Sequence, residues 1–160
     1  MAIANYTTEV PAMKSVGEIQ GILVAHGATA IMIDYAGKDP VTLTFLIKTN
    51  QGELPFRLPA NVKQVEKILV NMKARPPEPW HNDYVKVMDR IQKQSVRVAW
   101  RIIKDWVRAQ MAILDTEMVK IEQVFLPYLD MGGGKTLYDA MAERGFKQIG
   151  TGDGSDNGRA

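Results

Sequence analysis

Seven cations, Lys86, Arg90, Lys93, Arg97, Arg101, Lys104 and Arg108, have the type and spacing to do chemistry, separated by 4, 3, 4, 4, 3 and 4 residues within Tyr84–Gln110. At about 100° per residue they fall within an arc of roughly 80° on one helix. Asp89 and Asp105, the acids between them, point to either side of that arc. The chemistry such a row performs is neutralisation of phosphates, each contact adding about 0.7 to 0.9 to the salt slope of log affinity. A solvated helix face normally mixes signs, because like charges at i, i+4 repel by a few tenths of a kcal/mol. The row therefore has two readings, a solvated helix face or, being of one sign, the footprint of a polyanionic partner. Trp100 stands at the margin of the arc, where an indole would serve either as a boundary residue or as a platform for an exposed base.

Other chemistries find less support. Gly132-Gly133-Gly134-Lys135-Thr136 ends like a phosphate-binding loop, but Leu129 occupies the position of the first glycine and the preceding Phe125-Leu126-Pro127-Tyr128-Leu129-Asp130 follows a helix instead of a buried strand. A helix-connecting turn with Thr136 as N-cap is the expected reading. His26 and His81 stand far apart, without partners at ligand spacing. Asp34 and Glu53 lack the lysine that a metal-dependent nuclease site would place two residues after a carboxylate. No catalytic residue, metal or cofactor is therefore expected, and the chain is not read as an enzyme.

The elements that must position the cations follow from periodicity. Opposite the stripe, Tyr84, Met88, Ile91, Val98, Ile102, Trp106, Ala109 and Ile113 recur at the spacing of a buried face. A helix from Asn82 or Asp83 to about Asp115 results, with a break conceivable at Ser95. Upstream, Ser15 and Glu18 have capping-box spacing for a helix over Val16–His26, stopped by Gly27. Three alternating stretches follow, Ala28–Tyr35, Val41–Thr49 and Leu54–Leu58, joined by turns at Gly37–Pro40 and Asn50–Gly52. Pro55 and Pro59 make the third an edge strand. Asn61 caps a helix over Val62–Lys73, expected to lie across the meander. Thr116–Phe125 and Thr136–Arg144 read as short helices.

The fold class is thus α+β: helix, three-stranded antiparallel meander, helix, then a long basic helix and short C-terminal helices. An N-terminal arm (1–14), possible partner of a sheet edge, precedes an α-β-β-β-α module (15–75). A proline-rich linker (76–80) follows, in which Trp80 would pin the modules together. A helical module (81–150) and a disordered tail (151–160) complete the chain. With 160 residues, 46% apolar and 24% charged, it fits one ordinary globular domain. The absence of cysteine suits a reducing compartment. Neither a signal peptide nor a membrane span is expected, pointing to the cytoplasm. The net charge of +2 hides segregation: Tyr84–Gln110 carries +5, leaving −3 for the remainder.

The helix-strand-strand-strand-helix order resembles the double-stranded-RNA-binding domain. That family's basic cluster at the start of its second helix is missing, with Arg57-Leu58-Pro59-Ala60-Asn61 in its place, and the activity is not carried over. A meander followed by a helix also resembles single-strand annealing proteins in order. Ala99-Trp100-Arg101-Ile102-Ile103-Lys104-Asp105-Trp106, with Phe125-Leu126-Pro127-Tyr128 downstream, resembles uncharacterised small proteins of phages and prophages that pair an AWR-KDW helix with an FLPY corner. That resemblance implies a mobile-element origin and no activity. The expected function is binding of nucleic acid, single-stranded DNA or RNA, without base-specific readout, in phage or mobile-element replication, recombination or annealing. Lys86, Arg90, Lys93, Arg97, Arg101, Lys104 and Arg108 would meet phosphates and Trp100 a base. The edge strand and long helix also suit a homo-oligomer. The competing expectation is a phage interaction or inhibitor module that docks an acidic protein on the same stripe.

Overall fold

The computed structural model describes residues 2–75 and 78–147. The order is α1 (Ala12–Ala25), β1 (Ala28–Ala36), β2 (Asp39–Thr49), β3 (Gly52–Arg57), α2 (Val62–Asn71), α3 (Tyr84–Asp115), α4 (Ile121–Phe125), a 3-10 turn (Leu126–Tyr128) and α5 (Leu137–Glu143). The α+β class and the antiparallel order β1-β2-β3 agree with the alternation of the sequence. Both hairpins turn through two residues: Ala36 faces Asp39 across Gly37-Lys38, and Thr49 faces Gly52 across Asn50-Gln51. Gly37 holds positive φ inside the first turn, and Gly52 holds it just after the second, at the first residue of β3. Pro40 sits inside β2, beside the register shift where Tyr35 pairs with it, a place where a missing N–H is tolerated.

One face of the sheet is apolar. Ile31 pairs with Phe45, Ile33 with Leu43, and Phe45 with Phe56, so these side chains stand in adjacent rows on the same side. Val16, Ile19 and Leu23 of α1 share a buried cluster with that face, as do Val96, Trp100, Ile103, Val107 and Met111 of α3. The expectation that α2 covers the meander is corrected. Apart from Val62 at its start, α2 faces α3, where Leu69 joins Ile91 and Val98 in a second cluster. Thus α3 is buried on two sides, by the sheet and α1 on one and by α2 on the other. Its core residues cover a wider arc than the single stripe from Tyr84 to Ile113, and Ala109 and Ile113 are in fact exposed. The helix runs 32 residues without interruption, about 48 Å. At Ser95 the buried hydroxyl donates to the Ile91 carbonyl (2.7 Å), which satisfies it within the helix.

Three boundaries differ from expectation. Helix α1 begins after Pro11, so Ser15 lies buried inside the helix and does not cap it. The segment expected to be helical over Thr116–Phe125 yields only α4, because Glu117 adopts a left-handed φ of 59°. Among its described residues the N-terminal arm lies along α3 and pairs with no sheet edge: Asn5 Nδ2 donates to Asp105 (2.9 Å), and Gln94 Nε2 donates to the carbonyls of Tyr6 and Thr8 (3.0 and 2.9 Å). Trp80 is 78% exposed, so among the described residues it does not pin the modules together. The tail (151–160) and Pro76-Pro77 of the linker lie outside the described residues.

The C-terminal segment closes the sheet. Leu129 bridges Phe56, and the Asp130 N–H donates to the Pro55 carbonyl (2.9 Å), covering the outer edge of β3. Phe125 is fully buried against Phe45 and Phe56, with ring centroids 5.6 and 5.9 Å away. Trp106 packs edge-on against Phe125 and Tyr128. Residues of the 15–75 and 81–150 segments therefore share one core. Among the described residues no helix is long and apolar enough to cross a membrane.

Candidate nucleic-acid interface

The seven cations share a helix face and not a common fate. Lys86, Arg90 and Arg108 are exposed and make no ion pair among the described residues. Lys93 is exposed but pairs with Asp89 one turn back (2.9 Å), so its charge is locally offset. Arg97 is half-buried; its Nε and Nη2 both donate to the neutral Gln94 amide oxygen (2.9 and 2.5 Å), which fixes the guanidinium and leaves its charge unopposed.

Past Arg97, two cations of the stripe are taken up by carboxylates before the exposed Arg108. Arg101 Nη1 donates to Glu18 of α1 (2.7 Å). Lys104 has only 3% of its side chain exposed and its ammonium lies 2.5 Å from Asp105. Asp105 is held below the usual carboxylate range, first by the hydrogen bond from Lys104, then by the one from Asn5 and by the nearby Arg101 charge. Lys104 as a phosphate contact is therefore corrected: it is buried, and its ammonium is held by the half-exposed Asp105, which also accepts from Asn5 of the arm. Trp100 as a stacking platform is also corrected. Its indole is fully buried and Nε1 donates to the Pro40 carbonyl (2.9 Å), so it anchors α3 to the start of β2.

Two of the cations that remain, Arg90 and Arg97, share a cleft with Lys73, which is not part of the row. A cleft of about 460 Å³ opens between the end of α2, the first half of α3 and the arm. Its floor is apolar, made by Leu69, Met72, Val87 and Ile91. Lys73, Arg90 and Arg97 stand around it with the half-exposed Tyr6 ring, and among the described residues no carboxylate lines it. Each position has a local cause. The 3.6-residue period of α3 puts Arg90 and Arg97 on one side, two turns apart. Lys73 follows Met72, the C-cap of α2, where its N–H donates to the Val70 carbonyl (3.1 Å). Tyr6 is carried by a turn in which Asn5 has a φ of 59° and the Thr8 N–H donates to the Asn5 carbonyl (2.9 Å). Sequence periodicity does not find Lys73 or Tyr6, because the first follows a helix and the second lies in an arm without a repeat.

The remaining candidates are structural. Gly132–Gly134, all at positive φ, form the tip of a narrow turn closed by the bridge between Asp130 and Thr136. Thr136 caps α5 as expected, and the Asp139 carboxylate accepts its backbone N–H (2.9 Å), the main reason Asp139 is held below the usual carboxylate range. Lys135 pairs with Glu143, which raises its pKa. A larger cleft of about 650 Å³ beside this turn contains Arg57 opposite Asp139, so its charges offset each other. His26 joins the Ile22 carbonyl (2.7 Å) and Asp115 (2.9 Å), tying the end of α1 to the end of α3. Among the described residues no three His, Asp or Glu side chains are placed to hold a metal. No family model matches this chain, and no match is found among curated proteins or solved structures.

Proposed function

We propose that the chain binds nucleic acid through its phosphates, without base-specific readout, and that its partner is single-stranded DNA or RNA of a phage or mobile element. The observation that carries the reading is the convergence of Lys73, Arg90 and Arg97 on one cleft with no opposing carboxylate in its lining. Lys86, exposed one turn before Arg90, extends the cationic surface toward the start of α3. Three or four phosphate contacts correspond to a salt slope of about −2 to −3 for a single strand. The interface is thus smaller than the seven-cation row, and Arg101 and Lys104 have no part in it. The reading involves no catalytic step and no cofactor.

Fluorescence anisotropy with a labelled oligonucleotide, titrated with salt, tests the reading. Reversing Arg90 and Arg97 to Glu together lowers affinity at low ionic strength by roughly 10- to 100-fold and flattens the slope by about 1.4. Binding that ignores salt, or that survives both reversals, rejects it. The apolar floor of the cleft supports a second reading, an acidic peptide that places an apolar side chain on Leu69 and Met72. Loss of an acidic protein partner in the same double variant, with no oligonucleotide bound by the wild type, favours that one.

A further inference from the structure

The interface proposed above contains one aromatic group whose surroundings go beyond charge. Tyr6 is 44% exposed, yet the backbone that carries it is fixed at several points. The Gln94 amide holds the carbonyls of Tyr6 and Thr8 with its nitrogen, and its oxygen accepts from Arg97. One side chain therefore holds both the backbone that carries the ring and the guanidinium beside the cleft. Asn5, the neighbouring residue, is tied to Asp105. A half-exposed ring on an anchored backbone loses little freedom on meeting a ligand. It stands beside three cations above an apolar floor, in a cleft within the usual 300–1,000 Å³ range of small-ligand sites.

We infer that Tyr6 is a stacking platform for one unpaired base of a bound single strand, with Arg90, Arg97 and Lys73 on the flanking phosphates. The proposal rests on the nucleic-acid reading and deepens it, because it names the feature that selects single strands. A base in a duplex already stacks on its neighbours and cannot reach the ring, whereas a splayed base has a free π-face. Every base has such a face, so the contact is indifferent to sequence. An acidic peptide would satisfy the cations and the floor and would gain nothing specific from the ring.

The full chain is titrated at fixed salt with a labelled oligothymidylate and with a strand of the same length whose sugars lack bases. The wild type prefers the thymidine strand by roughly 5- to 150-fold, the range of one stacked base. Tyr6→Phe keeps that preference. Tyr6→Leu, which retains bulk against the cleft and has no π-face, binds both strands at the level of the abasic one with an unchanged salt slope. Persistence of the preference in Tyr6→Leu, its loss in Tyr6→Phe, or its loss in Trp80→Ala with Tyr6 intact overturns the assignment. If the wild type binds neither strand in a salt-sensitive way, the nucleic-acid reading itself falls; salt-sensitive binding without a preference for bases rejects the platform alone.

Discussion

Between Tyr84 and Arg97, α3 presents Lys86 and Arg90 to solvent and holds Arg97 on a neutral amide; between Arg101 and Met111 the same 3.6-residue period delivers Arg101 to Glu18 and buries Lys104 beside Asp105. The two stretches have the same kind of residue on the same face. What separates them is the neighbour. The first stretch meets α2 and, through Gln94, the Tyr6 and Thr8 carbonyls of the arm, none of which brings an acid onto the arc, while the second meets Glu18 of α1 at Arg101 and holds Lys104 on Asp105, itself tied to Asn5, leaving Arg108 exposed beyond them. A one-signed helix face thus stays open to solvent only where no countercharge meets it.

The most disruptive way to probe the difference is Trp100→Ala. It removes a fully buried indole and its hydrogen bond to Pro40, and is expected to cost about 3 to 5 kcal/mol in chemical denaturation. A cost below about 1 kcal/mol would return Trp100 to the surface and restore the stripe. A sharper contrast comes from neutralising one cation in each stretch. Arg90→Met leaves stability within about 0.5 kcal/mol and weakens oligonucleotide binding several-fold, since it removes an exposed charge and no packing. Lys104→Met reverses the pattern. Binding stays as it was, and stability changes by about 1 kcal/mol or less, because the methionine keeps the packing and the half-exposed Asp105 returns to water.

The smallest effect is a pH dependence. Asp105 titrates below the ordinary aspartate value in the folded chain, chiefly through Lys104. Its contribution to stability is therefore present above the unfolded value of about 3.9 and is lost as pH falls through the lower folded-state value. Asn5→Ala removes one of the hydrogen bonds responsible, so the Asp105 carboxyl resonance titrates nearer the ordinary value and the acid limb of stability shifts upward. No change in that titration would mean that the arm is not what closes the second stretch.

The alternation of β1 to β3, the two hairpin turns, the length of α3 and the Thr136 cap were all legible in the sequence, because each depends on residues near in sequence: a period, a pair of turn residues, a hydroxyl three positions from an N–H. The partner of each helix was not. Both α1 and α2 have an apolar face that would suit the sheet, and only the burial of Trp100 under β2 shows that α3 takes part of that place. The fate of the cations depended on the same unknown. Glu18 lies far from Arg101 in the chain, and no periodicity of α3 reveals that they meet. The arm is the clearest case, since Asn5, Tyr6 and Thr8 acquire roles only from Gln94 and Asp105.

The bridge from Leu129 to Phe56 and the burial of Phe125 also bear on how the chain acquires its fold. A nascent chain that has only reached the end of α2 has its meander, but the apolar face lacks α3 and Phe125, and the edge of β3 lacks Leu129 and Asp130. These contacts join opposite halves of the chain, so their loop-closure entropy is lost before they are rewarded. Folding is therefore a late event in synthesis, completed when Asp130 is available, and a chain stopped before that point carries an open strand edge prone to pairing with other chains.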